Sequence, residues 1–159
     1  GSMLIALLFW LTGLDSGAVA TFMANSAAVK INLPFIDLLF RGVLCNILVC
    51  LAIWCSFRCK SESGKLIMVF WCIFAFLTTG FEHCVANMYY IPAGLVAKMN
   101  PVYVEKAMEV YGYTKDQLDV LNVPDMLIHN LLPVTLGNII GGMVFAALPL
   151  YYLYIRKAE

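Results

Sequence analysis

In the middle of the chain, Thr78-Thr79-Gly80-Phe81-Glu82-His83-Cys84-Val85-Ala86-Asn87-Met88 sets an acid, an imidazole and a carboxamide inside a stretch otherwise apolar from Leu66 to Val96. Imidazole changes charge near neutral pH, so a histidine in such a place suits a proton relay or contact with an anion. Ionised groups at that depth are costly unless they line a cavity or pathway, which makes this block the place to look for function. As one helix the stretch would reach roughly 46 Å at about 1.5 Å per residue, well past the roughly 30 Å of a hydrocarbon core. A kinked or broken helix resolves the mismatch. Thr78-Thr79-Gly80 is the predicted break, because glycine is a weak helix former and threonine hydroxyls can satisfy the backbone groups that a break frees.

The helix is expected to resume near Phe81, aiming unpaired N–H groups and the positive end of its dipole at whatever fills the cavity, which favours an anion. On that helix His83 and Asn87, four residues apart, share a face, while Glu82 points about 100° away. This divides the residues into His83 towards the pathway and Glu82 towards packed polar neighbours. A satisfied polar pair that merely holds helices together stands beside this reading. Phe74, Phe76 and Phe81 flank the block as lipid-facing or core aromatics, or as one hydrophobic constriction. Cys84 beside His83 is no nucleophile dyad, since helical neighbours diverge too far to share a proton.

The elements that position this block are membrane elements. Of 159 residues 62% are hydrophobic and 13% charged, and the mean hydropathy is +0.85. Such values lie far from those of soluble domains and point to an integral membrane protein in a lipid bilayer. Ten basic and ten acidic residues balance, so nothing points to nucleic acid. Three apolar stretches can cross a bilayer: Leu33 to Phe57, the overlong Leu66 to Val96, and Leu131 to Ile155. Asp37 and Arg41 stand one turn apart in the first, in the order that favours an ion pair. Arg58, Lys60 and Lys65 fill one connection and Arg156-Lys157 follow the last span. The positive-inside rule puts both places, and the C-terminus, in the cytoplasm.

Between the second and third spans, Lys98 to Asn130 reads as an external connection with a short surface helix over Val102 to Val110. His129 reads as an interfacial structural histidine rather than a ligand. The six cysteines contain no Cys-x-x-Cys pair and read as small packing residues; no metal site or cofactor is expected. Gly137, Gly141 and Gly142 are spaced for close helix approach. Met3 to Leu14 is too short to cross, and Gly1-Ser2 has the form of an expression remnant. However, Gly1-Ser2-Met3-Leu4-Ile5-Ala6 lines up with Gly141-Gly142-Met143-Val144-Phe145-Ala146, a pattern that inverted-repeat transport proteins produce. On that basis the chain is expected to begin in mid-helix, with an N-terminal part missing.

Three long motifs then carry a family resemblance: Arg41-Gly42-Val43-Leu44-Cys45-Asn46-Ile47-Leu48-Val49-Cys50-Leu51-Ala52, Gly80 to Met88, and Asn130-Leu131-Leu132-Pro133-Val134-Thr135-Leu136-Gly137-Asn138-Ile139-Ile140-Gly141-Gly142. In order and spacing the chain resembles the formate/nitrite transporter family of formate, nitrite and hydrosulfide channels. The resemblance implies an all-α, aquaporin-like inverted-repeat bundle of six helices per protomer, assembled as a homopentamer in the bacterial inner membrane. Residues 1–159 would be the C-terminal portion of one channel domain: the end of helix 3 and helices 4 to 6, with helix 5 broken near residues 78–81. It further implies His83 as the central pore histidine, with Glu82, Asn87 and Asn46 as the polar group around it. Phe76 would belong to an apolar constriction. Lys30, in the connection between helices 3 and 4, would be a vestibule lysine that attracts anions.

The expected function is passive or proton-linked passage of a small monovalent anion, formate first, nitrite or hydrosulfide as alternatives. A bare charge crosses an apolar constriction at great cost, so anions of weak acids, which can take up a proton, have the advantage over chloride. A strictly coupled anion/proton symporter would use the same residues. A membrane enzyme would need a nucleophile or metal cluster that the sequence does not display.

Overall fold

The protein, described here by a computed structural model over residues 1–13 and 17–154, is built from eight helices among those described residues and contains no strand among them. They are α1 (Ser2–Leu11), α2 (Gly17–Ile31), α3 (Phe35–Arg58), α4 (Glu62–Thr78), α5 (Cys84–Lys98), α6 (Pro101–Tyr111), α7 (Lys115–Asp119) and α8 (Val123–Tyr154). Leu14, which ends the first apolar run, and Ile155, Arg156 and Lys157, the expected end of the third span and its cytoplasmic stop, lie outside the described residues. The 24-residue α3 and the 32-residue α8 are long and apolar enough to cross a bilayer.

The chain divides into two compact units. One holds Gly1–Phe35 and Cys84–Leu132; the other holds Ile36–His83 and Pro133–Glu159. In the first, α2 buries Ala20, Ala24, Ala27, Ala28 and Ile31 along one face at helical spacing. A Cβ on Gly94 of α5 would collide with the Ala27 methyl, so this pair of helices packs with almost no side chain between them. Ile91, Leu121, Met126 and Leu131 complete the core beside Ala27 and Ile31. Outside this packing, Asn100 caps α6 by accepting from the Val102 N–H, and Gly112 ends it in the left-handed conformation. Lys98 reaches the Leu121 carbonyl at 3.1 Å and Asp119 at 3.7 Å, tying the connection down.

In the second unit the close approach is between α3 and α8. A Cβ on Gly137 would strike the Leu39 carbonyl, one on Gly141 the Val43 carbonyl, and one on Gly42 would lie 2.8 Å from the Val134 carbonyl. The packing role expected of Gly137 and Gly141 is therefore met by backbone on backbone, with Gly42 as its counterpart on α3. Gly142 differs, since it makes room for the Asn46 carboxamide, 2.7 Å from where its Cβ would be. All six cysteines are without disulfides.

Four expectations need correction. Lys30 is in the last turn of α2 rather than in a loop, because the alanine-rich Gly17–Ile31 segment is helical. The last helix begins at Val123, eight residues before Leu131, because Asn122 caps it by accepting from the Asp125 N–H at 2.9 Å. His129 is thus on the helix surface, paired with Asp125 one turn back at 3.0 Å. No ion pair joins Asp37 to Arg41 among the described residues; Arg41 Nη1 donates to the Gly80 carbonyl at 3.2 Å. Finally, helix resumes at Cys84 rather than Phe81.

Two stretches of α8, Met126–Leu131 and Gly141–Ala147, widen into π-helical turns. Each contains the residue four before a proline, His129 before Pro133 and Phe145 before Pro149, where the proline ring would crowd an α-helical carbonyl.

Candidate functional site

The break after α4 is a glycine-closed helix end. Gly80 takes φ +71°, its N–H donates to the Leu77 carbonyl at 3.4 Å, and the Phe81 N–H reaches the Phe76 carbonyl at 3.1 Å. This pair of bonds is the Schellman pattern, which needs a left-handed residue at the position Gly80 occupies. The threonine hydroxyls bond one turn back within α4 rather than to the groups that the break frees. Thr78 Oγ1 donates to the Phe74 carbonyl at 2.9 Å and Thr79 Oγ1 to the Ala75 carbonyl at 2.7 Å.

Phe81, Glu82 and His83 then run without helix to the start of α5. One backbone bond from α3 and one side-chain bond from α8 hold this link in place. The Glu82 N–H donates to the Arg41 carbonyl of α3 at 3.4 Å, and the Glu82 carbonyl accepts from Asn138 Nδ2 of α8 at 3.0 Å. His83 therefore precedes the helix that carries Asn87, and the expected shared helical face does not exist. Its half-buried ring stacks on buried Phe76, with centroids 6.1 Å apart and planes 30° from parallel. Glu82 is only 3% exposed.

Asn138 organises this unit. Its side-chain amide donates to the carbonyls of Gly42 (2.9 Å) and Glu82 (3.0 Å), while its own carbonyl accepts from Asn46 Nδ2 at 2.6 Å. Buried carbonyls left without donors are costly, so one carboxamide stabilises both α3 and the non-helical link. A second asparagine serves the other unit in the same manner. Asn130 Oδ1 accepts from Asn87 Nδ2 and Asn130 Nδ2 donates to the Lys30 carbonyl, both at 2.8 Å. The Lys30 ammonium lies over the Tyr90 ring, 5.5 Å from its centroid.

Of the residues singled out from sequence, His83, Phe76, Glu82, Asn46, Thr78, Thr79 and Gly80 fall in one compact unit, and Lys30 and Asn87 in the other. Asn130 and Asn138 were given no role by sequence reasoning. The signal was present: two carboxamides eight residues apart in a stretch that carries no charge after His129. Among the described residues no group of three or more His, Cys, Asp or Glu is placed to hold a metal ion.

Comparison with known proteins adds the family. A family model described as formate/nitrite transporter matches residues 1–152. The formate channel FocA of Escherichia coli (strain K12) is 33% identical over 164 residues, covering 100% of this chain and 56% of that protein. The nitrite transporter NirC of Salmonella typhimurium is 36% identical over 153 residues, covering 96% and 49%. A solved structure of a pentameric formate channel with formate bound superposes with a TM-score of 0.81 at 30% identity, over 97% of this chain and 61% of that one. The chain spans about half the length of the curated relatives it matches. All-helical fold, membrane-length helices and a match over nearly every residue lead to one assignment: this chain belongs to the formate/nitrite transporter family of membrane channels.

Proposed function

We propose that the chain forms part of a channel for small monovalent weak-acid anions, formate first, in which His83 stands at the pore centre and Phe76 at an apolar constriction. The observation that carries this reading is the imidazole held on a non-helical link inside an apolar segment and stacked on a buried phenylalanine ring. An ionised solute meets a steep desolvation cost beside such a ring, whereas formate that takes up a proton or a hydrogen bond from imidazole does not. Asn46 and Glu82 are the polar residues of this site, and Thr78, Thr79 and Gly80 make the break that exposes it. Lys30 raises the local concentration of anion in a vestibule.

In this reading the protein acts as a homopentamer in the bacterial inner membrane, a reading supported by its likeness to the pentameric formate channel. Arg58, Lys60 and Lys65 mark the cytoplasmic side, which places the C-terminus there as well. It is a transport protein and not an enzyme. Nitrite is the second substrate reading, favoured by the 36% identity to NirC. Hydrosulfide and proton-coupled symport use the same residues.

The test is flux of formate, nitrite and hydrosulfide, side by side, through the full-length protein in liposomes at several pH values and membrane potentials. His83→Asn and His83→Phe are expected to assemble normally and to change the pH dependence or the ranking of the anions. A pH profile identical to wild type in both variants would remove His83 from the pathway. Flux that tracks a fixed proton stoichiometry would replace channel with symporter.

A further inference from the structure

Lys30 is held at both ends by groups that form a closed circuit in one compact unit. Its carbonyl accepts from Asn130 Nδ2 at 2.8 Å; Asn130 Oδ1 accepts from Asn87 Nδ2 at 2.8 Å; Tyr90 stands one helical turn beyond Asn87 on α5; and the Lys30 ammonium lies 5.5 Å from the Tyr90 ring centroid. Asn130 and Asn87 are fully buried, and Lys30 and Tyr90 half-buried. A free lysine side chain samples many rotamers, and ordering it is costly in entropy. A cation over an aromatic face is drawn to one position by the ring quadrupole, and at half-buried sites this attraction is large enough to offset much of that cost. The Asn130 amide does the same for the main chain, fixing the last turn of α2 from which the lysine projects.

We propose that Tyr90 and Asn130 are positioning residues for Lys30: the tyrosine ring fixes where the ammonium sits, the asparagine fixes the backbone that carries it, and together they set how strongly the vestibule draws anions at low concentration. Neither touches the solute in this scheme. The consequence for transport rests on the reading of Lys30 given under Proposed function, but the positioning itself does not.

Two measurements on the full-length protein separate these layers. The first is the acylation rate of the Lys30 amine by an amine-reactive reagent, followed by mass spectrometry. Tyr90→Leu is expected to raise it, and Tyr90→Phe, which keeps the ring face, to leave it near wild type. The second is the concentration dependence of formate uptake in liposomes. Tyr90→Leu should raise apparent KM about threefold or more, with maximal flux held, and Tyr90→Phe should not. In a Lys30→Ala background Tyr90→Leu should add nothing. Asn130→Ala is expected to act in the same direction, and if it fails to fold the tyrosine pair still decides the matter. An unchanged acylation rate in Tyr90→Leu, or an equal KM effect with and without Lys30, overturns the proposal. If acylation responds to Tyr90 while Lys30→Ala leaves apparent KM unaltered, the positioning stands and the anion-gathering role of Lys30 falls instead.

Discussion

Asn138 donates its side-chain amide to the Glu82 carbonyl at 3.0 Å, one residue before the candidate pore histidine. The same nitrogen serves the Gly42 carbonyl, so helix packing and the course of the non-helical link depend on one buried group. Asn138→Leu would fill the volume and leave a buried backbone carbonyl without this donor, at about 1–3 kcal/mol. A lowered melting temperature of the purified protein in detergent is the expected result. Asn138→Asp should not rescue it, because a carboxyl group offers at most one proton where the carboxamide donates two. Melting at the wild-type temperature in both variants would show that the link is held by something else.

Gly80 offers a separate test of the break. Its φ of +71° is left-handed, and a Cβ there would meet only Arg41 Nη1 at 3.6 Å, an ordinary contact. Space is not limiting, so the penalty for Gly80→Ala comes from backbone strain alone, about 1–2 kcal/mol. Asparagine tolerates this conformation better than alanine does. Gly80→Asn should therefore melt closer to wild type than Gly80→Ala; the reverse order would contradict the glycine-closed helix end.

The sequence made the break legible because three independent signals coincide at residues 78–83: an apolar run too long for one crossing, a Thr-Thr-Gly triplet, and ionisable residues directly after it. It did not reveal where helix resumes. That boundary depends on tertiary bonds, from the Glu82 N–H to the Arg41 carbonyl and from Asn138 Nδ2 to the Glu82 carbonyl, whose partners lie 41 and 56 residues away in the chain. Helix α2 escaped for a different reason. Its buried face is mostly alanine, which carries little hydropathic contrast, and it packs because Gly94 lets the backbones meet. The start of α8 was hidden by the polar residues between Asn122 and Asn130, although Asn122-Val123-Pro124-Asp125 is a serviceable helix start once read as a cap.

The glycines at the α3 and α8 contact predict a graded series. Gly137→Ala and Gly141→Ala would each drive a methyl into a main-chain carbonyl, which cannot move without separating the helices; overpacking of this kind costs about 1–3 kcal/mol. Gly142→Ala meets the end of a side chain, Asn46 Nδ2, which can turn aside at the cost of its hydrogen bond to the Asn138 carbonyl. The expected ranking in a thermal melt is Gly142→Ala mildest, with Gly137→Ala and Gly141→Ala well below it. Equal melting of all three would mean that backbone approach does not limit this contact.

Phe76 is where the candidate constriction and the imidazole meet, and its replacement separates two contributions. The ring is 7% exposed and stacks on His83 at 6.1 Å. Such a stacked pair contributes about 0.5–1.5 kcal/mol beyond the area it buries, enough to hold the imidazole in one orientation. Phe76→Leu keeps an apolar wall and removes the stacking; Phe76→Ala removes both and opens space beside the link. If the wall excludes permanently charged anions by desolvation, chloride flux should rise in Phe76→Ala while staying low in Phe76→Leu. If stacking sets the imidazole's proton traffic, the pH dependence of formate flux should change in both variants alike. Liposome flux of the two anions across a pH series reads both at once, and a Phe76→Ala channel that still rejects chloride would locate the constriction elsewhere.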